Sequence, residues 1–257
     1  MSTTYAPDIS IITVCLNSEM TIMRNIQSVN EQKFQSIEQI FVDGGSVDTT
    51  LKIIKKLSKV NNYLISESDT GIYNAMNKGL KLARGKHILF LNSDDFFENT
   101  YVLQNFYNVI NDSDPDVIIS QIRYVDRFNP CKVVRVWKVE KFSLSKLKYG
   151  WMPPHPGTVI RRSRLIDVGG FDECYKISGD YDLLVRILKL ENISVQNLNI
   201  YSVKMCKGGV SNNSIKNITQ KMREDYRIIS TNRIGNIMTL FCKNIRKIPQ
   251  FLRFSLR

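Results

Sequence analysis

Four polar clusters each follow an apolar run in the first hundred residues. Asn17 follows Ile9–Val14, Asp43 follows Ile37–Val42, Glu67 follows Tyr63–Ile65, and Asp94-Asp95 follows His87–Leu91. Ligands of open α/β sheets gather in the crevice outside the carboxyl ends of the strands. If the runs are parallel neighbours, one crevice collects Asn17, Asp43, Glu67, Asp69, Asp94 and Asp95. An acidic crevice in a basic protein suits a cation and whatever that cation carries.

Each cluster also has a plainer reading. Adjacent carboxylates in Asn92-Ser93-Asp94-Asp95 suit Mg2+ or Mn2+, hard ions that accept one or two carboxylates plus substrate phosphates. An isolated Asp-Asp pair is more often a helix cap or a solvated turn. In Asp43-Gly44-Gly45-Ser46-Val47-Asp48-Thr49-Thr50 the glycines admit a ligand close to the backbone, and Asp43 can accept hydrogen bonds from a base or ribose. A tight turn with an Asp/Thr cap explains the same residues. Neither GxxxxGK[ST] nor GxGxxG occurs, so the usual phosphate-cradling loops are absent. Asp180 opens an apolar-periodic segment, where an Asp is either a general base or an N-cap. His155, between Pro154 and Pro156, is placed to meet substrate or metal, whereas His87 begins a strand and reads as structural.

The elements that must position these groups follow from periodicity. Residues 9–95 alternate short β-rich runs with helical patterns, which predicts βα units on a mostly parallel sheet. Asp48 or Thr49 is expected to cap one helix. Gly71–Ala83 places Ile72, Ala75, Met76, Gly79, Leu80 and Ala83 on one helical face, with Asn74, Asn77, Lys78 and Lys81 opposite. Val117–Ser120, Arg123–Val125 and Val133–Val139 predict antiparallel strands. Thr158–Ile160 reads as a further strand, and a helix is expected from near Asp180 through Leu188.

The 257 residues carry a net charge of +12, and Lys204–Arg257 holds twelve Lys/Arg against two acids, Glu224 and Asp225. That asymmetry predicts an appendage that meets an anionic surface. Domains are therefore expected at 1–203, with a first half to about residue 110 and a second half over 111–203, and at 204–257. In the appendage, Ile215, Ile218, Met222, Tyr226 and Ile229 form one stripe. Ile234, Ile237, Met238, Phe241, Ile245, Ile248 and Leu252 form another, opposite Lys243, Arg246, Lys247, Arg253 and Arg257. Apolar against basic predicts a helix in a membrane interface. A helix packed on its own domain, or a dimer interface, shows the same pattern. Five scattered cysteines without CxxC pairing argue against a disulfide framework or zinc site and predict a reducing cytoplasm. No secretion signal and no apolar run of about 18 residues is seen.

Taken together these segments resemble glycosyltransferase family 2, the inverting enzymes of the GT-A fold. The matching stretches are Ile9–Asn17, Phe41–Thr50, Glu67–Gly79, Leu91–Asp95, Gly169–Asp172 and Gly179–Arg186, in the family's order. The resemblance implies an α/β fold with a Rossmann-like, mostly parallel sheet flanked by helices, followed here by the C-terminal amphipathic helices. It implies that Thr13, Asn17, Asp43 and Asp69 surround the nucleoside of a nucleotide-sugar, usually a UDP-sugar. Glu67, Asn77, Lys78, Asn92 and Asp94 complete that set. Asp94 and Asp95 fall in the DxD region and would hold Mn2+ or Mg2+. Asp180 matches the acceptor-activating base, and His155 is assigned to the acceptor.

This chain departs from the family at defined points. Asn92 stands where many members have the first Asp of DxD, Met76 where an arginine is common, and Gly179 where Glu usually precedes the base. Gln220-Lys221-Met222-Arg223 is followed by Glu224, not by the Trp of processive synthases. The expectation is a non-processive, metal-dependent transferase of hexosyl type in bacterial O-antigen, capsule or exopolysaccharide synthesis. Its acceptor would be a lipid-linked saccharide, and its place cytoplasmic, peripheral at the inner face of the membrane. A sugar nucleotidyltransferase lacks support because no glycine- and arginine-rich nucleotide loop is present. A basic nucleic-acid-binding module conflicts with an acidic cleft, so no nucleic acid partner is expected.

Overall fold

The computed structural model describes residues 6–59, 62–208 and 215–246. In chain order the strands are β1 (Ile9–Cys15), β2 (Ile37–Asp43), β3 (Asn62–Ser66), β4 (His87–Phe90), β5 (Phe96–Phe97), β6 (Val117–Val125), β7 (Val133–Trp137), β8 (Thr158–Arg161) and β9 (Val195–Cys206). The helices are α1 (Ile22–Asn30), α2 (Thr50–Leu57), α3 (Ile72–Leu82), α4 (Val102–Ser113), α5 (Arg162–Asp167), α6 (Gly179–Leu188), α7 (Ile215–Thr231) and α8 (Ile237–Ile245).

The strands form one sheet in the order β3-β2-β1-β4-β8-β6-β9-β5, with β7 on β6. The first four are parallel, and their register sets Cys15 level with Asp43 and Asp43 level with Ser66. The polar clusters therefore emerge along one edge. Strands β1, β2 and β4 are buried at every position, because helices cover both faces, and their sequences are accordingly continuous apolar runs. On one face α3 packs Ala75, Met76 and Leu80 against Ile12 and Val42. On the other, Val102, Leu103 and Phe106 of α4 meet Ile9, Ile11 and Leu89.

Beyond β4 the expected antiparallel strands are present with one difference. The runs 117–120 and 123–125 form a single strand, β6, which is antiparallel to β7 and β8 but parallel to β9. In α3, Ile72 is exposed and Tyr73 takes the inward place, since the helix starts against α6.

The expected division after residue 203 falls inside β9, which runs unbroken to Cys206. Ile228, Ile229, Ile234 and Leu240 then join the same core as Leu184 and Ile187 of α6. Of the two apolar stripes, expected at a membrane interface, on the protein's own domain or in a dimer, the described part lies mostly outward. Ile218, Met222 and Tyr226 of α7 are exposed while Ile229 is buried; in α8, Ile237, Met238, Phe241 and Ile245 face outward. Lys243, read on the basic face opposite the apolar stripe, is there but buried, with its Nζ 2.7 Å from Asp225 Oδ1. Arg246 pairs with Glu140 at 3.4 Å. The reason is electrostatic: Asp225 is buried in α7 and draws Lys243 inward, which turns the apolar face out. Lys247, Ile248, Phe251, Leu252, Arg253, Phe254 and Arg257 lie outside the described residues, as does the side chain of Ile215.

Candidate active site

The Asp43 loop forms the first wall. Asp43 is buried, and its Oδ2 accepts the N–H of Gly45 (3.1 Å), the N–H of Ser46 (2.9 Å) and the hydroxyl of Ser66 (2.7 Å), while Oδ1 accepts from Ser46. Burial pushes its pKa up, but these hydrogen bonds outweigh burial and leave it below the usual carboxylate range. The side chain expected to face a base instead braces its own loop. Gly44 lies against Asp69, where a Cβ would come within 2.5 Å of Oδ2. That contact joins the second and third polar clusters.

Asn17 and Ser18 tie this wall to the next. The Asn17 amide oxygen accepts the Val47 N–H at 3.0 Å, its N–H donates to Ser46 Oγ at 2.8 Å, and its backbone is left-handed at φ 47°, a conformation Asn tolerates. Ser18 Oγ lies 3.0 Å from Ser93 Oγ, in the Asn92–Asp95 loop. From below, the Asn25 amide holds the carbonyls of Asn92 (2.9 Å) and Asp95 (3.0 Å).

Asp94 and Asp95 are the electrostatic centre. Burial raises both carboxyls above their ordinary range; the neighbouring Asp94 charge pushes Asp95 higher, and Arg127 partly offsets the rise in Asp94. Two adjacent carboxylates in a water-poor pocket resist joint ionisation and titrate as a pair. A divalent cation would relieve that repulsion. Asn92 Oδ1, buried beside them, has no hydrogen-bond partner among the described residues, while its amide nitrogen donates to Asp95 Oδ2 at 3.3 Å. This all-oxygen set fits a hard ion that completes its shell with phosphate and water. Among the described residues no cluster of three or more His, Cys, Asp or Glu forms a ready-made metal cage.

Asp180 sits in the first turn of α6, where its Oδ1 accepts the Tyr181 N–H at 2.8 Å; Ser178 occupies the cap position. Tyr73 holds the helix start, donating its hydroxyl to the Ile177 carbonyl at 2.7 Å. A Cβ on Gly179 would meet the Tyr73 ring at 2.7 Å, which explains why no side chain precedes Asp180 here. Tyr124 lies near the carboxyl end of β6, with Arg135 over its ring at 4.4 Å. Burial lifts its phenol to about 12 against the pull of Arg135, and the charges of Asp95 and Asp180 both add to the rise. Carboxylates from both halves of the chain thus contribute to the field at this phenol.

His155 is buried beside the end of β4. Its ring stacks on Phe90 at 5.2 Å and meets Phe171 edge-on at 5.7 Å. Nε2 is buried with no hydrogen-bond partner among the described residues. Burial holds its pKa below the usual imidazole range, opposed by Asp180, so the ring is neutral at physiological pH.

Other expected site residues have different tasks. Thr13 is fully buried and accepts from Gln39 at 3.1 Å, so its side chain stands behind the wall. Asn77 is a clamp: its amide nitrogen donates to the Phe171 carbonyl (2.9 Å) and Glu173 (2.8 Å), and its oxygen accepts the Phe171 N–H (2.9 Å). Lys78 bridges Glu67 Oε1 at 2.8 Å and the Ser68 carbonyl at 2.9 Å on the rim. His87 is structural as read, with Nε2 3.1 Å from the Pro115 carbonyl. Sequence reasoning missed Tyr73, Tyr124 and Glu224. Glu224, 5% exposed, accepts the backbone N–H groups of Lys176 (3.0 Å), Ile177 (2.9 Å) and Ser178 (2.8 Å), just ahead of Asp180. Its sequence signals were its place after Gln220-Lys221-Met222-Arg223 and its being, with Asp225, one of two acids in a basic segment.

The similarities to known proteins agree with this geometry. Residues 10–169 match the profile of Glycosyl transferase family 2. An uncharacterized glycosyltransferase of Mycobacterium tuberculosis is 30% identical over 185 residues, 71% of this chain and 70% of that protein. A PGL/p-HBAD biosynthesis glycosyltransferase of Mycobacterium bovis is 30% identical over 184 residues, 70% of each. Among solved structures, S. aureus TarS 1-349 in complex with UDP-GlcNAc superposes with a TM-score of 0.66 at 21% identity, covering 86% of this chain and 66% of that one. The mannosyltransferase PcManGT from Pyrobaculum calidifontis, in complex with GDP-Man and Mn2+, gives 0.63 at 16% identity, covering 89% and 64%. The mostly parallel, helix-flanked sheet is thus the GT-A fold. With the profile match spanning more than half of its length, the chain belongs to glycosyltransferase family 2.

Proposed function

We propose that this protein is an inverting, non-processive glycosyltransferase that moves a hexosyl group from a nucleotide-sugar, in our reading a UDP-sugar, to a hydroxyl of a lipid-linked saccharide. The observation that carries this reading is the alignment of Asn17, Asp43, Asp69 and the Asp94-Asp95 pair along one carboxyl edge of the sheet. Asp180, in the first turn of α6, is tied to α3 of the first half through Tyr73, which packs on Gly179 and bonds the Ile177 carbonyl. TarS with UDP-GlcNAc and PcManGT with GDP-Man support a nucleotide-sugar donor.

In this mechanism Asn17, Asp69 and the braced Asp43 loop receive the nucleoside, with Lys78 and Glu67 on the rim. Asp94, Asp95 and Asn92 Oδ1 would hold Mn2+ or Mg2+. Bound there, the ion would neutralise charge gathering on the departing diphosphate. Asp180 accepts the proton from an acceptor hydroxyl as that oxygen attacks the anomeric carbon from the face opposite the leaving group. One bond forms as one breaks, and configuration inverts. His155, neutral and with its buried Nε2 unpartnered among the described residues, is our candidate for a hydrogen bond to the acceptor once that site is filled.

We assign the enzyme to bacterial surface-polysaccharide synthesis, on the cytoplasmic side and peripheral at the membrane, because lipid-linked acceptors reside there. The PGL/p-HBAD biosynthesis relatives are consistent with that class. The test pairs thermal shift against a panel of nucleotide-sugars with Mn2+ present and a nucleotide-release assay. Asp180→Asn is expected to bind donor normally and lose about 10²–10⁴-fold in transfer rate. Full transfer in that variant, or no stabilisation by any nucleotide-sugar, refutes the assignment.

A further inference from the structure

We propose that the exposed face of α8 is the seat by which the protein docks on an anionic lipid surface. This rests on the peripheral-membrane reading above and names the surface responsible. Ile237 (60%), Met238 (60%), Phe241 (58%) and Ile245 (43%) are exposed at helical spacing on one face. The tight turn Leu144–Tyr149 packs beneath the same helix and exposes Leu144 (55%) and Tyr149 (63%). An exposed apolar helix face of this kind marks an interaction site.

The helix cannot hide this face by rolling over. Its other side is fixed to the rest of the protein by four contacts. Lys243 Nζ lies 2.7 Å from Asp225 and 3.3 Å from the centre of the Tyr181 ring. Thr239 donates to the Lys148 carbonyl at 2.7 Å. The backbone at Lys243 rests so close to Gly150 that a Cβ there would be 2.5 Å away. The apolar face is therefore a rigid feature of the folded domain.

Charge decides the occupant. Between residues 215 and 246 the only acids are Glu224 and Asp225, and both are buried and engaged. Lys148, Lys216, Arg223, Arg227 and Arg233 remain at the surface around the two helices. The sequence that follows α8 adds Lys247, Arg253 and Arg257 with Phe251, Leu252 and Phe254, and no acid. A second copy of a chain with net charge +12 would bring like charges together. An anionic leaflet instead attracts each cation while accepting the apolar side chains.

The experiment uses the whole chain with vesicles of phosphatidylcholine alone or with phosphatidylglycerol. Vesicle sedimentation is read alongside melting temperature, solution mass and nucleotide release with a soluble acceptor. The wild type is expected to bind the anionic vesicles, to bind the neutral ones weakly, and to be released by salt. Ile237→Glu combined with Phe241→Glu is expected to weaken binding about tenfold or more, with melting and nucleotide release unchanged. Undiminished vesicle binding in that variant overturns the proposal, as does equal binding to neutral vesicles. A wild-type dimer that the variant converts to monomer overturns it in favour of a second copy. Vesicle binding without turnover of any nucleotide-sugar rejects the transferase reading and leaves the docking face standing.

Discussion

The carboxylate of Glu224 accepts the backbone N–H of Ser178 at 2.8 Å, so a side chain of α7 holds the residue that caps α6. With the N–H groups of Lys176 and Ile177 on the same carboxylate, the approach to Asp180 is fixed from outside its own helix. We expect Glu224→Ala to lower kcat about tenfold or more, because small misplacements of a reacting group are costly. Donor affinity should hold. Glu224→Gln, which keeps one acceptor oxygen, should recover part of the rate. Steady-state kinetics with calorimetric donor binding separates this from general unfolding, which would reduce both.

The Asp225–Lys243 pair sets an acid limit on stability. Burial raises the Asp225 pKa, but Lys243 and Lys221 pull it down to about 2, below the unfolded value of about 3.9. A depressed folded pKa stabilises above the unfolded value and loses that stabilisation as pH falls toward the folded one. The contribution is about 2 kcal/mol at neutral pH, lost between about pH 4 and pH 2. Lys243→Met should cost about 3 kcal/mol by leaving a buried carboxylate poorly paired. Urea titrations across that pH range would show a flattened acid limb in the double variant Asp225→Leu/Lys243→Met.

Asp95 behaves in the opposite sense. Its folded pKa is raised by burial and by Asp94, so the ionised pair costs stability as pH climbs above about 4. Without divalent cations, Asp95→Asn is expected to raise the melting temperature at pH 8 by roughly 2–4 °C for each 1 kcal/mol relieved. Added Mn2+ should stabilise the wild type and leave the variant unmoved. A variant that melts lower in metal-free buffer would contradict the buried-repulsion account.

Gly179→Glu would restore the residue common in the family, yet we expect it to destabilise by about 1–3 kcal/mol. The cause is the Tyr73 ring, which stands 2.7 Å from where a Cβ on residue 179 would lie. Thermal melts of Gly179→Glu and Gly179→Ala should both fall below wild type, with transfer rate reduced alongside.

The sequence by itself determined where the strands end and which acids gather there. Runs buried on both faces are continuous and apolar, so the first polar residue after each marks the carboxyl edge. Asn17, Asp43, Asp69, Asp94 and Asp95 lie along that edge as read. Tertiary structure decided what each side chain does at the edge. Asp43 turned to its own loop, Asn77 to the Phe171 backbone and Thr13 to Gln39, because those partners are set by the fold and not by the spacing of the clusters. It also decided which face of α8 points outward. Periodicity separates a helix into two faces but does not say which one the domain will cover. That choice fell to Asp225, whose buried charge took Lys243 inward and left Phe241 at the surface.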